Sequence, residues 1–392
     1  MKKEFILSII LLFGLFINCT NKPGENSDKN IAQINIDYKD LKKTIDASSI
    51  FDISKFEFIN LETNDSCLIG EITKIVLRDN KIIIYDALVK QVLLFNMDGS
   101  FYSRIYAMGN GPKEYPPIIN DCVISENYVG MFTPVIGKIM LYDFKGNFVK
   151  EISLKGAWGI TYFTFDENEF YIQNDWSQSE NGYYHLFSLK DNKTEKLMPF
   201  KPISDVSRGW SLDNYYSLYD NHALMLYSSI DTIFEFSNRA KNVKPLYEIN
   251  FENTQLSKEI LTGDGRNALE MSIMENKATG INNIGESSRY IILYTSDNKY
   301  IFFNKKTRKI DYFTESLTIP SWGNFNFGLS TSYIQDNKII TYFEPSFVLS
   351  VMKDWIDQTS FKNKEFENKI NSATNKIKEE TDNHIILITY LK

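Results

Sequence analysis

Val76-Leu77-Arg78-Asp79-Asn80-Lys81-Ile82 lies over Val123-Ile124-Ser125-Glu126-Asn127-Tyr128-Val129. In the same way Leu94-Phe95-Asn96-Met97-Asp98-Gly99-Ser100-Phe101 lies over Leu141-Tyr142-Asp143-Phe144-Lys145-Gly146-Asn147-Phe148. Both pairs are offset by 47 residues (76 to 123, 99 to 146) without a gap. A self-similar period in that range marks a propeller or array, in which one supersecondary unit is repeated.

Inside the repeat, short Val/Ile/Phe/Tyr runs alternate with turn residues. The first unit resolves into strands at 74–78, 81–85, 91–96 and 101–105, a four-stranded meander. The second resolves into 121–124, 128–132, 138–143 and 148–152. An acidic residue followed by Asn recurs before an apolar run, at Asp79-Asn80, Glu126-Asn127, Glu167-Asn168, Asp220-Asn221 and Asp336-Asn337. Asn tolerates left-handed backbone angles, so these pairs suit tight hairpin turns. A further run at 289–295, after Ser287-Ser288, lacks the Asn but completes six units. The expected fold is all-β: a six-bladed β-propeller of four-stranded antiparallel blades.

Two segments interrupt the β pattern. Leu261, Leu269, Ile273 and Met274 fall at near-helical spacing, so 257–277 is expected as an inserted helix. Phe366, Ile370, Ala373 and Ile377 fall at i, i+4, i+7 and i+11, one face of a C-terminal helix. A final strand follows at 384–391. An early strand at 56–61 has no partner in the first meander. If it joins the last blade beside the C-terminal strand, the ring closes without a covalent link and leaves no open edge.

Outside the repeats, Lys2 and Lys3 precede an apolar run from Phe5 to Ile17, and Cys19 follows. A charged start and an apolar stretch of this length make a secretory signal, too short to span a bilayer comfortably. Asn18-Cys19 reads as a lipoprotein processing site, with the Cys19 thiol acylated after export. A plainly cleaved signal and an uncleaved anchor are the alternatives. The polar stretch to about residue 46 reads as a tether. The expected organisation is a signal peptide over 1–18, an anchored Cys and tether over 19–50, and the propeller over 51–392.

Formal net charge is −7, which argues against nucleic acid, whose phosphates require a basic footprint. Beyond Cys19 only Cys67 and Cys122 remain, beside or within apolar strands. They could pair after export, but two buried free thiols is the preferred expectation.

Leu61-Glu62-Thr63 followed by Leu68-Ile69-Gly70-Glu71-Ile72 resembles the opening of the six-bladed β-propeller lipoproteins of Bacteroides-type bacteria. Gly109-Asn110-Gly111-Pro112-Lys113-Glu114-Tyr115 resembles that family's loop between blades one and two. Asp382-Asn383-His384-Ile385-Ile386 and the closing Leu391-Lys392 resemble its ending, with His384 where the family usually has Pro. The resemblance covers about residues 50 to 392 and implies an NHL-like propeller, lipid-anchored at the cell envelope in the outer membrane.

The candidate chemistry is sparse. The 109–115 loop lacks the Lys-Ser/Thr ending of a phosphate loop and runs into Pro116-Pro117. It is expected to be a structural crossover that includes Tyr115: Gly109 and Gly111 supply positive φ, Pro112 stiffens the turn and Glu114 caps backbone amides. A ligand contact is the alternative. Loops between second and third strands ring one mouth of a propeller, and here they hold Asp86, Asp175 with Trp176, Asp231, Asp297 and Glu344. Such carboxylates could bind calcium, as in lactonase-type enzymes, or form a solvated acidic rim.

His185, His222 and His384 are the only histidines, and no catalytic motif surrounds them. Trp158, Trp176, Trp210, Tyr215, Tyr216 and Trp322 lie in loop-like stretches. Exposed rings there could stack on sugars or anchor a protein, and otherwise pack between blades. Trp176 and Trp210 are the best candidates for a ligand surface.

The expected function is a binding module, more plausibly not an enzyme, engaging an envelope protein or a carbohydrate-like ligand through its loop-lined face. It needs no cofactor, acts as a monomer and meets the bilayer through Cys19. The alternative is a calcium-dependent hydrolase or lactonase with its site in the central channel.

Overall fold

The structure, a computed structural model, describes residues 31–392 apart from 118, 120, 134–136, 155–160, 165–168, 174–183, 189–192, 199–215, 228–229, 253–270, 272–273, 276, 278–279, 327 and 329–331. Three strands precede the first repeat: β1 (Ala32–Asn35), β2 (Ile45–Asp46) and β3 (Phe51–Asn60). Blade one is β4 (Lys74–Arg78), β5 (Lys81–Asp86), β6 (Gln91–Asn96) and β7 (Phe101–Ile105). Blade two is β8 (Asp121–Ile124), β9 (Tyr128–Thr133), β10 (Lys138–Asp143) and β11 (Phe148–Ser153). Blade three is β12 (Thr161–Phe163), β13 (Glu169–Gln173), β14 (Tyr184–Ser188) and β15 (Lys193–Met198).

Blade four is β16 (Tyr216–Tyr219), β17 (His222–Tyr227), β18 (Ile230–Ser237) and β19 (Asn242–Asn250). Blade five is β20 (Ile281–Glu286), β21 (Tyr290–Thr295), β22 (Tyr300–Asn304) and β23 (Lys309–Thr314). A small sheet joins β2 to β24 (Leu317–Ile319) and β25 (Phe325–Asn326). Blade six holds β26 (Ser332–Gln335), β27 (Lys338–Phe343) and β28 (Ile385–Leu391), with β3 as its outermost strand. The result is a six-bladed β-propeller, as the repeat predicts.

Burial explains why the strands read as they do. Residues 82–85 of β5 and 92–95 of β6 are fully buried, because neighbouring blades cover both faces of the middle strands. The outermost strand β7 is more exposed, with only Ile105 buried. Each fully buried Ile, Leu or Phe contributes about 1.5–3 kcal/mol, so the sheet interiors are the main stabilising element.

The described first-to-second turns differ, and in the Asp220-Asn221 pair only Asp220 (φ 52°) is left-handed. Asp79 and Asn80 (φ 48° and 56°) and Asp336 and Asn337 (47° and 62°) form left-handed pairs, as expected. Glu126-Asn127 does not. There the Ser125 amide donates to the Tyr128 carbonyl (2.9 Å) and the Tyr128 amide donates back to Ser125 Oγ (3.0 Å). Ser287 and Tyr290 repeat that arrangement in blade five, where the Asn is missing.

The repeated glycines have one shared role. Gly99 (φ +89°) and Gly146 (φ +87°) sit in the third-to-fourth turns of blades one and two. A Cβ on Gly99 would lie 2.0 Å from the Asn60 carbonyl oxygen of β3, and one on Gly146 would lie 2.7 Å from that of Arg104 in β7. Each turn therefore presses on the outermost strand of the preceding blade. β3 is to blade one what β7 is to blade two, which is the expected non-covalent closure.

Asn383 reinforces that closure. Its side chain donates to the carbonyls of Glu62 (2.6 Å) and Cys67 (2.8 Å) and accepts from the Ile69 amide (3.0 Å). Its own amide donates to Thr63 Oγ1 (2.8 Å). The opening and closing sequence motifs are thus two halves of one joint. Across the same seam, Gln335 exchanges hydrogen bonds with the Leu77 backbone (2.9 and 2.7 Å).

Residues 32–50, which fall in the expected tether, are folded instead. β1 pairs in parallel with β19 as a fifth strand, Lys42 bridges Thr314, and β2 pairs in parallel with β24. Ile34, Ile36, Ile45, Ala47 and Ile50 are buried by this wrapping. Apolar positions spaced between polar ones bind the arm to the outer edges of blades four to six.

The C-terminal helix, Lys364–Thr374, starts at Asn363, whose side chain accepts from the Phe366 amide (2.9 Å). Phe366, Ile370, Ala373 and Ile377 are all buried, as the spacing predicts. Trp322 is fully buried and stacks on Phe366 (4.3 Å, 13°), so this aromatic packs in the core. A second helical segment, unexpected from the sequence, runs from Pro345–Phe347 through a π-helical turn, Val348–Met352, into Lys353–Gln358. The expected helix over 257–277 lies largely outside the described residues.

Candidate functional site

The first strand of each blade lines the central axis, and the meander places chain turns at defined ends. First-to-second turns lie on one face, here called lower, and second-to-third loops lie on the upper face. Around the axis is a cavity of about 370 Å³, lined from β4, β16, β20 and β26 and by Ile124 at the end of β8. Close approach of these strands is enforced by Gly285, where a Cβ would lie 2.1 Å from Ile334 Cδ1.

Lys74 opens β4 at the upper end and reaches across the axis. Its Nζ donates to Asp121 Oδ1 (2.6 Å) and to the Cys122 carbonyl (2.8 Å), and lies 6.0 Å from the Tyr216 ring centre. Blades one, two and four thereby meet in a polar floor. Burial opposes the Lys74 charge, but the Asp121 carboxylate outweighs it and the ammonium pKa is raised. Burial also raises the Tyr216 hydroxyl and pushes the Cys122 thiol up to about 12. The ion pair is held, and the thiol is kept protonated rather than nucleophilic. Cys67 and Cys122 are both buried free thiols.

The lower mouth is formed by turn residues. Arg78, Glu126, Asp220 and Asp336 line the cavity there, about 13 Å along β4 from Lys74 at strand rise. Tyr219 lies beside them, with Lys305 Nζ 4.6 Å from its ring centre. Behind this rim the buried Glu286 carboxylate accepts from Lys305 Nζ (2.8 Å) and pairs with His222 Nε2 (2.8 Å). That hydrogen bond raises the His222 pKa. The Glu286 amide donates to Ser217 Oγ (2.9 Å), which ties the cluster to the channel strand β16. His222 is therefore part of a lower-face polar network, more than the strand residue the sequence suggests.

Of the upper-face carboxylates expected as a ligand rim, Asp86 and Asp297 serve other contacts, and none of Asp86, Asp297 and Glu344 lines the cavity. Asp86 is fully buried and accepts from the amides of Gly70 (2.8 Å), Leu88 (3.0 Å) and Val89 (3.0 Å) and from Gln91 Nε2 (3.0 Å). Asp297 accepts from the Tyr38 hydroxyl (2.9 Å) and from Thr295 Oγ1 (2.5 Å), anchoring the N-terminal arm. Glu344 is exposed ahead of the unexpected helix.

Asp175, Trp176 and Trp210, with Trp158, Tyr215 and Cys19, lie outside the described residues, as does the Asp231 side chain. Among the described residues no group of three or more His, Cys, Asp or Glu side chains is placed to hold a metal ion. Of the aromatics singled out from sequence, Tyr216 lines the channel.

The 109–115 loop is accounted for by its own contacts, and neither Gly109 nor Gly111 takes the expected positive φ. Glu114 folds back so that Oε2 accepts from the Gly111 amide (2.8 Å). A Cβ on Gly109 would lie 2.0 Å from that same oxygen. Tyr115 is buried and its hydroxyl donates to the Lys90 carbonyl (2.8 Å).

Lys74, Arg78, Tyr219 and Gln335 escape a sequence reading focused on upper-face loops. One signal was available: Lys74 and Asp121 are separated by the same 47 residues as the repeat.

Comparison with known proteins adds a family and a fold. A family profile described as a domain of unknown function, DUF4934, matches residues 31–390. A search of curated protein sequences returns no match. A solved structure from Bacteroides fragilis, of a protein described as exported, is similar with a TM-score of 0.67 at 17% identity, covering 92% of this chain and 100% of that one. A DUF4221-family structure from Bacteroides vulgatus is similar with a TM-score of 0.52 at 11% identity, covering 86% of this chain and 96% of that one.

Proposed function

We propose that this chain, which belongs to the DUF4934 family, is an exported, lipid-anchored binding protein that takes a saccharide-sized polar ligand into its central channel from the lower face. The observation that carries this reading is the cavity itself. About 370 Å³ lies within the usual range of small-ligand sites. Tyr216, Tyr219 and Tyr333 supply ring faces, and charged groups at both ends supply hydrogen-bonding partners.

Export is supported by the charged and apolar N-terminus and by the exported description of the similar Bacteroides fragilis protein. Lipid attachment at Cys19 and an outer-membrane location follow from the Asn18-Cys19 junction and the lipoprotein resemblance. Mass analysis of the mature N-terminus tests this: a diacylated or triacylated Cys19 is expected, and an unmodified Cys19 or cleavage elsewhere contradicts it.

Binding is tested by calorimetric titration of the full-length protein with monosaccharides. Saturable binding is expected, and it should be lost in a Leu218→Trp variant that fills the channel while melting as the parent does. Undiminished binding by that variant would move the ligand out of the channel. An absence of binding by the parent would remove the saccharide reading.

A further inference from the structure

The lower mouth carries charge of both signs that no described residue matches. Arg78 of blade one, Glu126 of blade two, Asp220 of blade four and Asp336 of blade six line the same cavity. None of these four side chains has a hydrogen-bond or ion-pair partner among the described residues. Elsewhere around the axis charge is matched internally, Lys74 with Asp121 and both Lys305 and His222 with Glu286.

The three carboxylates stand on alternate blades, and no three acidic or metal-ligating side chains among the described residues are grouped to hold one ion. A ligand that engages them together with Arg78 is therefore larger than an ion. Its volume is bounded by the cavity of about 370 Å³.

Resting on the channel-binding reading above, we infer that the ligand is a zwitterionic amino sugar that carries a carboxylate. Its carboxylate is met by Arg78, whose planar guanidinium suits bidentate pairing. Its ammonium is met by Glu126, Asp220 and Asp336. Neutral sugars are disfavoured because they match none of these charges, of which Glu126, Asp220 and Asp336 are exposed and Arg78 is half-buried.

Four glucose-type sugars separate the possibilities: glucose (neutral), glucosamine (cationic), glucuronic acid (anionic) and muramic acid (zwitterionic, and larger by a lactyl ether). Calorimetric titration of the full-length protein is expected to give muramic acid the lowest Kd, about tenfold below glucose, the scale of one charge-assisted contact. Arg78→Gln should weaken muramic and glucuronic acids about tenfold and spare glucosamine. Asp336→Asn should weaken muramic acid and glucosamine and spare glucuronic acid. Asn accommodates the left-handed backbone at position 336 (φ 47°), so the turn is preserved. If glucose binds as tightly as muramic acid and neither substitution alters the ranking, the inference is overturned while the channel reading stands. If none of the four sugars binds, the saccharide reading fails and the inference fails with it.

Discussion

Lys74 and Asp121 occupy the opening position of the first strand in successive blades, 47 residues apart, and meet as an ion pair at 2.6 Å. The period of the repeat is thus also the spacing of the pair that floors the channel. Equivalent positions in two blades have taken opposite charges, and the ring brings them together.

Both side chains are largely withdrawn from water, 18% and 9% exposed, so removing one strands the other. Lys74→Met or Asp121→Asn alone should each cost about 3 kcal/mol, as for other broken buried pairs. The double variant should cost less than either, because no unpaired charge remains. Urea denaturation measures this, and simply additive losses would contradict the pairing.

Asn383 joins the first and last motifs of the chain through four hydrogen bonds. Asn383→Ala leaves buried carbonyls and an amide unmatched and should destabilise by about 2–4 kcal/mol, given about 1–3 kcal/mol for a single unmet group. Native-state hydrogen exchange should show faster opening first at residues 61–69 and in β28. Unchanged exchange there would mean that the ring is closed by other contacts.

Gly99 and Gly146 should respond alike to alanine. Both have left-handed φ and face a carbonyl of the preceding blade, so each change should cost about 1–3 kcal/mol from backbone strain and displacement. Gly328 has nothing within 4 Å of a built Cβ and serves as a near-neutral control. Thermal unfolding of the three single variants compares them, and a similar loss at all three positions would dissociate the glycines from blade packing.

Burial lowers the His384 pKa to about 4, and the nearby Asp86 charge opposes this only partly. A folded pKa below the unfolded value of about 6.5 means stability is complete above pH 6.5 and declines as pH falls toward 4. His222 acts oppositely: its raised pKa adds stability at low pH that fades as pH rises through the folded value. In His384→Leu, the decline from pH 6.5 to 4 should be shallower than in the parent. Its buried Nδ1 has no hydrogen-bond partner among the described residues, so little is lost at pH 7. Urea midpoints across that range give the slopes, and parallel slopes would contradict the assignment.

The blades were legible wherever local chemistry was sufficient. β4 to β11 match the expected strands within a residue, because turn residues bracket runs that neighbouring blades bury. Closure was legible from an unpaired early strand. The arm over 32–50 was not, because Ile34, Ile36 and Ile45 are too sparse to stand out until the blade edges beneath them exist. The second helix had a readable signal in Pro345 with Val348, Met352 and Ile356 at four-residue spacing, all buried. The channel was hidden for a different reason: Lys74, Tyr216 and Gln335 lie far apart in sequence and converge only through the ring. Arg78 at the end of β4 and Asp336 in its turn carry only hairpin chemistry in the sequence, because the channel mouth they share exists only in the closed ring.

The central claim, that the ligand enters the channel from the lower face, is tested most directly by hydrogen exchange of the full-length protein with and without muramic acid. Protection is predicted in peptides covering 74–80, 121–128, 216–222 and 332–337, the first strands and their lower turns. Protection confined to 86–90, 296–299 and 344–352 would place the ligand on the upper loops and contradict the account.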